Sequence, residues 1–168
     1  MTHELALNQG QAWLTETLQL MGCPVAVSAE LRTEAVRPDP EGWLELDPEG
    51  ELLPERAAAL IGDRGVAIDA LQFLANLALN QHRAADDHLH FTLELGGYRQ
   101  QRRQLLSQIA IQVADRVLSS GEPEKLEDYS SADRRVLHEL FEAYPHLQAV
   151  SEGREPHRSL LISRRAEE

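Results

Sequence analysis

The chain has 168 residues, 42% of them hydrophobic, enough to bury a core and also the length of two small domains of under a hundred residues each. Its 28 acidic and 16 basic side chains leave a formal net charge of −12, which argues against a duplex-DNA binder, whose phosphate contacts need clustered lysine and arginine. The single cysteine, Cys23, excludes an internal disulfide framework; its apolar surroundings predict a small buried residue in a reducing compartment.

The charge is uneven. Residues 1–95 carry 16 acidic and 5 basic side chains, a net of −11, whereas residues 96–168 carry 12 and 11, a net of −1. Lys125 is the only lysine, so the positive charge is almost wholly guanidinium, which pairs with phosphate bidentately and stacks on bases. The opening MTHELALNQGQAWL has no basic stretch followed by an apolar one, and no apolar run approaches the roughly twenty residues of a membrane span. A cytoplasmic protein with no membrane partner is expected.

In chain order, residues 10–21 predict an amphipathic helix with Trp13, Leu14, Thr17, Leu18 and Met21 on one stripe, stopped by Gly22 and Pro24. VAVSAELR and WLEL alternate apolar and polar, with the turn-rich RPDPEG between them, and predict a hairpin. Pro54 suits the first position of a short helix ending at Gly62. From Val66 to about Gln81, Ile68, Leu71, Leu74, Ala75, Ala78 and Leu79 keep a period near 3.6, and HLHFTLEL then alternates with period two. The order over residues 10–95 is α-β-β-α-α-β.

Gly96 and Gly97 mark a break. Residues 98–118 predict a long helix with Leu106, Ile109, Val113 and Val117 on its apolar face and Arg99, Arg102 and Arg103 in its first turns. Basic residues there oppose the helix dipole by on the order of a few tenths of a kcal/mol, which points to a phosphate-facing surface. A short extended piece at 123–126, a helix capped by Ser130 or Ser131 and running to about Ala143, and strands near 147–151 and 159–163 complete the chain. The loop EGREPHR between those strands carries Arg154 and Arg158, and the terminal RRAEE is expected to fray.

Two motifs carry chemistry. LIGDRG places Gly62 and Gly65 three apart between two helices; alone it reads as a tight turn, but inside an α-β-β-α-α-β unit it is arranged as in a KH domain, whose GxxG loop clamps a nucleotide backbone. SADRRVLH places Arg134 and His138 four apart, hence on one helix face. The run LEDYSSADRRVLHELFEAYPHLQAVSEGREPHRSLLI resembles the single-stranded nucleic-acid-binding domain named R-three-H for its Arg-x-x-x-His motif. Together with LIGDRGVAIDALQFLANLALN and YRQQRRQLL, it makes residues 24–163 similar to the bacterial Jag family, also called KhpB or SpoIIIJ-associated.

That resemblance implies an α+β chain with a type II KH domain over residues 10–95, followed by a small α+β R-three-H domain over 98–165 that includes its leading helix. It implies a cytoplasmic, non-catalytic protein that binds single-stranded RNA, with post-transcriptional roles in cell division and envelope growth among family members. The implied contacts are Gly62, Asp63, Arg64 and Gly65 as backbone clamp, Arg134 and His138 on the helix, and Arg158 beside them. The basic residues Arg135, Arg154, Arg99, Arg102 and Arg103 extend that surface. A small stand-alone KH protein, or a second copy through the KH half, is the implied protein partner.

A rival expectation is a docking adaptor with a degenerate KH half, favoured by the acidic Asp63 between the glycines and by the net −11 of residues 1–95. An enzyme is least expected, since the chain has no CxxC, P-loop, GxSxG elbow or recognisable catalytic carboxylate pair. His88 and His90 beside Asp86 and Asp87 lack a secured third ligand, so neither metal nor cofactor is expected.

Overall fold

The computed structural model describes residues 3–34, 37–84, 87–154 and 157–165, with the backbone alone at 34, 37 and 38. The elements are α1 (His3–Leu20), β1 (Val27–Glu34), β2 (Arg37–Leu46), α2 (Pro54–Ile61), α3 (Val66–Asn80), β3 (His90–Leu95), α4 (Tyr98–Ser120), β4 (Glu124–Leu126), α5 (Ser131–Glu142), β5 (Leu147–Glu152) and β6 (Ser159–Arg164). The fold is α+β, and the chain divides into two compact units, residues 1–99 and 100–168, each with its own core. No described helix is long and apolar enough to cross a membrane. Asp86, Glu155, Pro156 and most of the terminal RRAEE, all weighed from sequence, lie outside the described residues.

In the first unit β2 lies between β1 and β3, antiparallel to β1 and parallel to β3, with α2 and α3 forming the crossover. Two expectations are corrected. RPDPEG is not the hairpin turn but part of β2: Glu34 pairs with Arg37, and the register slips so that residues 38–40 stand against Thr33 alone. The prolines are tolerated because β3 begins opposite Glu41, so this end of β2 has a strand on one side only and needs fewer amide donors. Helix α1 starts at His3, not near residue 10, and buries Ala6, Leu7, Gly10, Leu14 and Leu18, whereas Met21 is exposed.

Phe91 of β3 explains Gly10. The ring is fully buried between two glycines: a Cβ at Gly10 would lie 2.5 Å from Phe91 Cε1, and one at Gly42 would lie 2.9 Å from Cδ1. Alanine at a helix interior gains about 1 kcal/mol over glycine, but here the trapped ring cannot retreat. Gly10→Ala is therefore expected to lower unfolding free energy by about 1–3 kcal/mol in urea denaturation; a gain in stability would refute this packing account.

β3 is an edge strand, and α3 covers its edge with carboxamides. Asn80 donates to the Leu89 carbonyl and accepts from its N–H (2.9 and 3.1 Å), and Asn76 does the same with Phe91 (2.7 and 2.9 Å). Gln72 Oε1 accepts from Leu93 N–H at 3.0 Å. Four helical residues rise about 6 Å and two strand residues about 6.6 Å, so side chains at i, i+4 and i+8 keep step with alternate strand residues.

The second unit packs α4 and α5 on an antiparallel sheet of order β4-β6-β5. Leu106, Ala110, Val113, Ala114 and Val117 of α4 meet Leu137 and Phe141 of α5 and Leu126, Leu147, Leu160 and Ile162 of the strands. Ser130 caps α5, its Oγ accepting from Asp133 N–H at 3.1 Å.

Candidate nucleic-acid interface

α5 carries both residues of the Arg-x-x-x-His motif, and they have different environments. Arg134 is buried, 5% exposed, and its Nη1 donates to the carbonyls of Tyr129 (2.5 Å) and Arg158 (3.3 Å). It thus ties the segment before α5 to the β5–β6 loop. His138, one turn on, is partly buried and shares a hydrogen bond of 2.9 Å between its Nε2 and Ser151 Oγ of β5.

The electrostatics of His138 follow from this packing. Burial pushes its pKa below the ordinary histidine value, the charges of Arg158 and Arg134 push the same way, and Glu142 partly opposes them. The imidazole therefore sits where two guanidinium groups and burial outweigh one carboxylate. Arg154 and Arg158 are exposed at the two sides of the same loop, which turns at Gly153 with φ 81°. The structure brings Arg134, His138 and Arg158 together, and adds Ser151, which the sequence reading does not name as a site residue.

The arginines at the start of α4 are each engaged within their own unit. Arg99 donates to Asp69 Oδ1 (2.6 Å), Gln72 Oε1 (2.9 Å) and the Leu93 carbonyl (2.8 Å), within the first unit. Arg102 grips both Asp133 oxygens, at 3.0 and 2.6 Å, with side-chain exposures of 11% and 4%. Arg103, half exposed, pairs with Glu139 at 2.8 Å. Their place against the helix dipole is thus explained by internal carboxylates, which corrects the inference that a phosphate-facing surface is needed. Arg135 is partly buried on α5.

The glycine loop is a single 3-10 turn, Asp63–Gly65, leading into α3, whose start no side chain caps. Both glycines have positive φ, 75° and 86°. Both are also demanded by packing: a Cβ on Gly62 would meet Ala67 N at 2.8 Å, and one on Gly65 would meet Tyr98 Oη at 1.8 Å. The glycines are therefore required by the turn itself, whatever the loop binds. Asp63 and Arg64 project outward, 90% and 67% exposed, with only a loose 3.9 Å ion pair between them. Among the described residues no three His, Cys, Asp or Glu side chains gather as a metal site would.

Comparison with known proteins bears on the second unit most directly. The chain is 36% identical over 111 residues to the RNA-binding protein KhpB of Bacillus subtilis, which is 65% of this chain and 52% of that protein. It is 34% identical over 104 residues to the protein of that name from Lactiplantibacillus plantarum, 62% of this chain and 32% of the relative. For that of Clostridium symbiosum the figures are 31% over 108 residues, 64% and 48%. The chain thus spans about half the length of these relatives or less. Residues 104–164 match the R3H domain family, from within α4 to the last residue of β6. Residues 104–164 of this chain therefore form an R3H domain.

Proposed function

We propose that this protein is a cytoplasmic, non-catalytic binder of single-stranded RNA of the Jag/KhpB kind, with a type II KH domain over residues 10–95 and the R3H domain with its leading helix over 98–165. The observation that carries the reading is the R3H domain itself, with His138 half-buried among guanidinium groups and Arg154 and Arg158 exposed on the adjoining loop. The names of the relatives support RNA as the ligand. In this reading Arg135, His138, Arg154 and Arg158 meet phosphates, Arg134 holds the loop that presents them, and Gly62, Asp63, Arg64 and Gly65 form a second contact. Arg103 borders the surface, whereas Arg99 and Arg102 serve it from within. The regulatory role in bacterial division and envelope growth belongs to the same proposal.

With roughly two to five phosphate contacts, log affinity for a labelled single-stranded oligoribonucleotide falls with log salt at about −0.7 per contact, giving a slope between about −1.4 and −3.5. Binding without a salt slope, or no binding at low ionic strength, would end the reading. A second reading, a protein-docking module, takes its place in that case. The observation favouring it is the solvent face of α3, where Val66, Phe73, Leu74 and Leu77 are each about half exposed or more and the helix's one charge, Asp69, is turned inward to Arg99. Such a neutral apolar stripe within residues 1–95, whose net charge is −11, suits a second copy or a small KH protein.

A further inference from the structure

We infer that Tyr98 is a positioning residue for the Gly62–Gly65 loop, holding the Arg64 peptide in the one orientation in which the loop can receive a phosphate. This rests on the RNA-binding reading of the loop given above. Tyr98 lies more than thirty residues downstream of the loop.

The geometry is specific. The Tyr98 hydroxyl donates to the Arg64 carbonyl at 3.0 Å. Arg64 is one of three described non-glycine residues at positive φ, with φ 51° and ψ 24°, a conformation that a side chain with a Cβ disfavours. The hydroxyl also occupies the place a Gly65 Cβ would take, so the tyrosine and the glycine are matched in shape. With its carbonyl held by the Tyr98 hydroxyl, Arg64 keeps its side chain in solvent, 67% exposed. A carbonyl turned outward would instead face an approaching phosphate with negative charge against negative charge.

Tyr98 can impose this because it is itself anchored. Its ring packs on the core of the first unit, and its neighbour Arg99 is fastened to Asp69 and Gln72 of α3 and to the end of β3. The Arg99 N–H donates to Glu94 Oε2 at 3.2 Å, which seats the first turn of α4. The loop is thus gripped at Arg64, and the helix that follows it is gripped one turn later at Asp69.

The test uses the full chain and a labelled oligouridylate of about ten nucleotides, comparing Tyr98→Phe, which removes one oxygen, with Arg64→Glu, which reverses an exposed loop charge. The expected result is about tenfold weaker binding for Arg64→Glu. Tyr98→Phe should bind about three- to tenfold more weakly, with a salt slope shallower by about 0.7 and a melting midpoint close to that of the parent. Weakening by Arg64→Glu with Tyr98→Phe unchanged overturns the positioning role. A weaker Tyr98→Phe with an unchanged slope also overturns it, marking a general loosening instead. If neither variant weakens binding, the loop is not an RNA contact, and the inference falls together with that part of the functional reading.

Discussion

Arg102→Ala is expected to destabilise the second unit by about 3–5 kcal/mol, because it strands a buried carboxylate. Asp133 is 4% exposed, and both its oxygens are held by Arg102. Removing a well-packed hydrophobic residue would cost a cavity; removing this arginine leaves a charge with neither water nor partner. Two comparisons isolate the cause. Arg103→Ala, at a pair whose arginine is half exposed, should cost less than about 1 kcal/mol. The double change Arg102→Met with Asp133→Leu should recover much of the loss, since replacing a buried ion pair with apolar groups is often neutral. Urea denaturation of the three variants reads this directly, and equal costs for Arg102→Ala and Arg103→Ala would show that burial is not what matters.

The second large effect expected, if the chain binds RNA as proposed, is a proton taken up on binding. In the free protein burial, Arg158 and Arg134 hold the His138 pKa below its ordinary value against Glu142. The unfolded chain then binds the proton more readily than the native one. Stability is unaffected by this group above about pH 6.5 and declines as pH falls from there through the lowered native value. A phosphate beside the ring would reverse the shift, so the complex holds the proton at a higher pH than the free protein does. Affinity should therefore rise about three- to tenfold between pH 7.5 and 5.5, while His138→Gln stays flat and also loses part of its acid sensitivity in unfolding. The depressed value moves this window lower than the pH 6.5 that histidine alone suggests. Parallel pH profiles for parent and variant would remove His138 from the contact.

The second half of the chain was the more legible. Its helix cap at Ser130 and its strand pair are local signals, and the α5 spacing that joins Arg134 to His138 is fixed by helix geometry. What could not be read is where charges end: Arg99 meets Asp69 and Arg102 meets Asp133 across thirty residues or more, and no periodicity encodes such a pairing. The same holds for Arg134, whose sequence position suits a contact while its guanidinium is spent on two carbonyls. In the first unit the element order followed from the hydrophobic periods. Yet α3 hid two things: Leu74 and Ala78 keep the helical period but face solvent, and Gln72 with Asn76, polar in an apolar helix, turn toward β3. A double prolyl stretch in β2 read as a turn because its place in a strand depends on a register slip against β1 and on how far β3 reaches.

The amide side chains of α3 have a consequence for assembly. At Leu89, Phe91 and Leu93 they and Arg99 take up the outward-facing main-chain groups of an otherwise open border. A foreign peptide in extended form finds nothing left to pair with there. Lengthening of this sheet by another chain is thereby directed to β1, on the opposite flank.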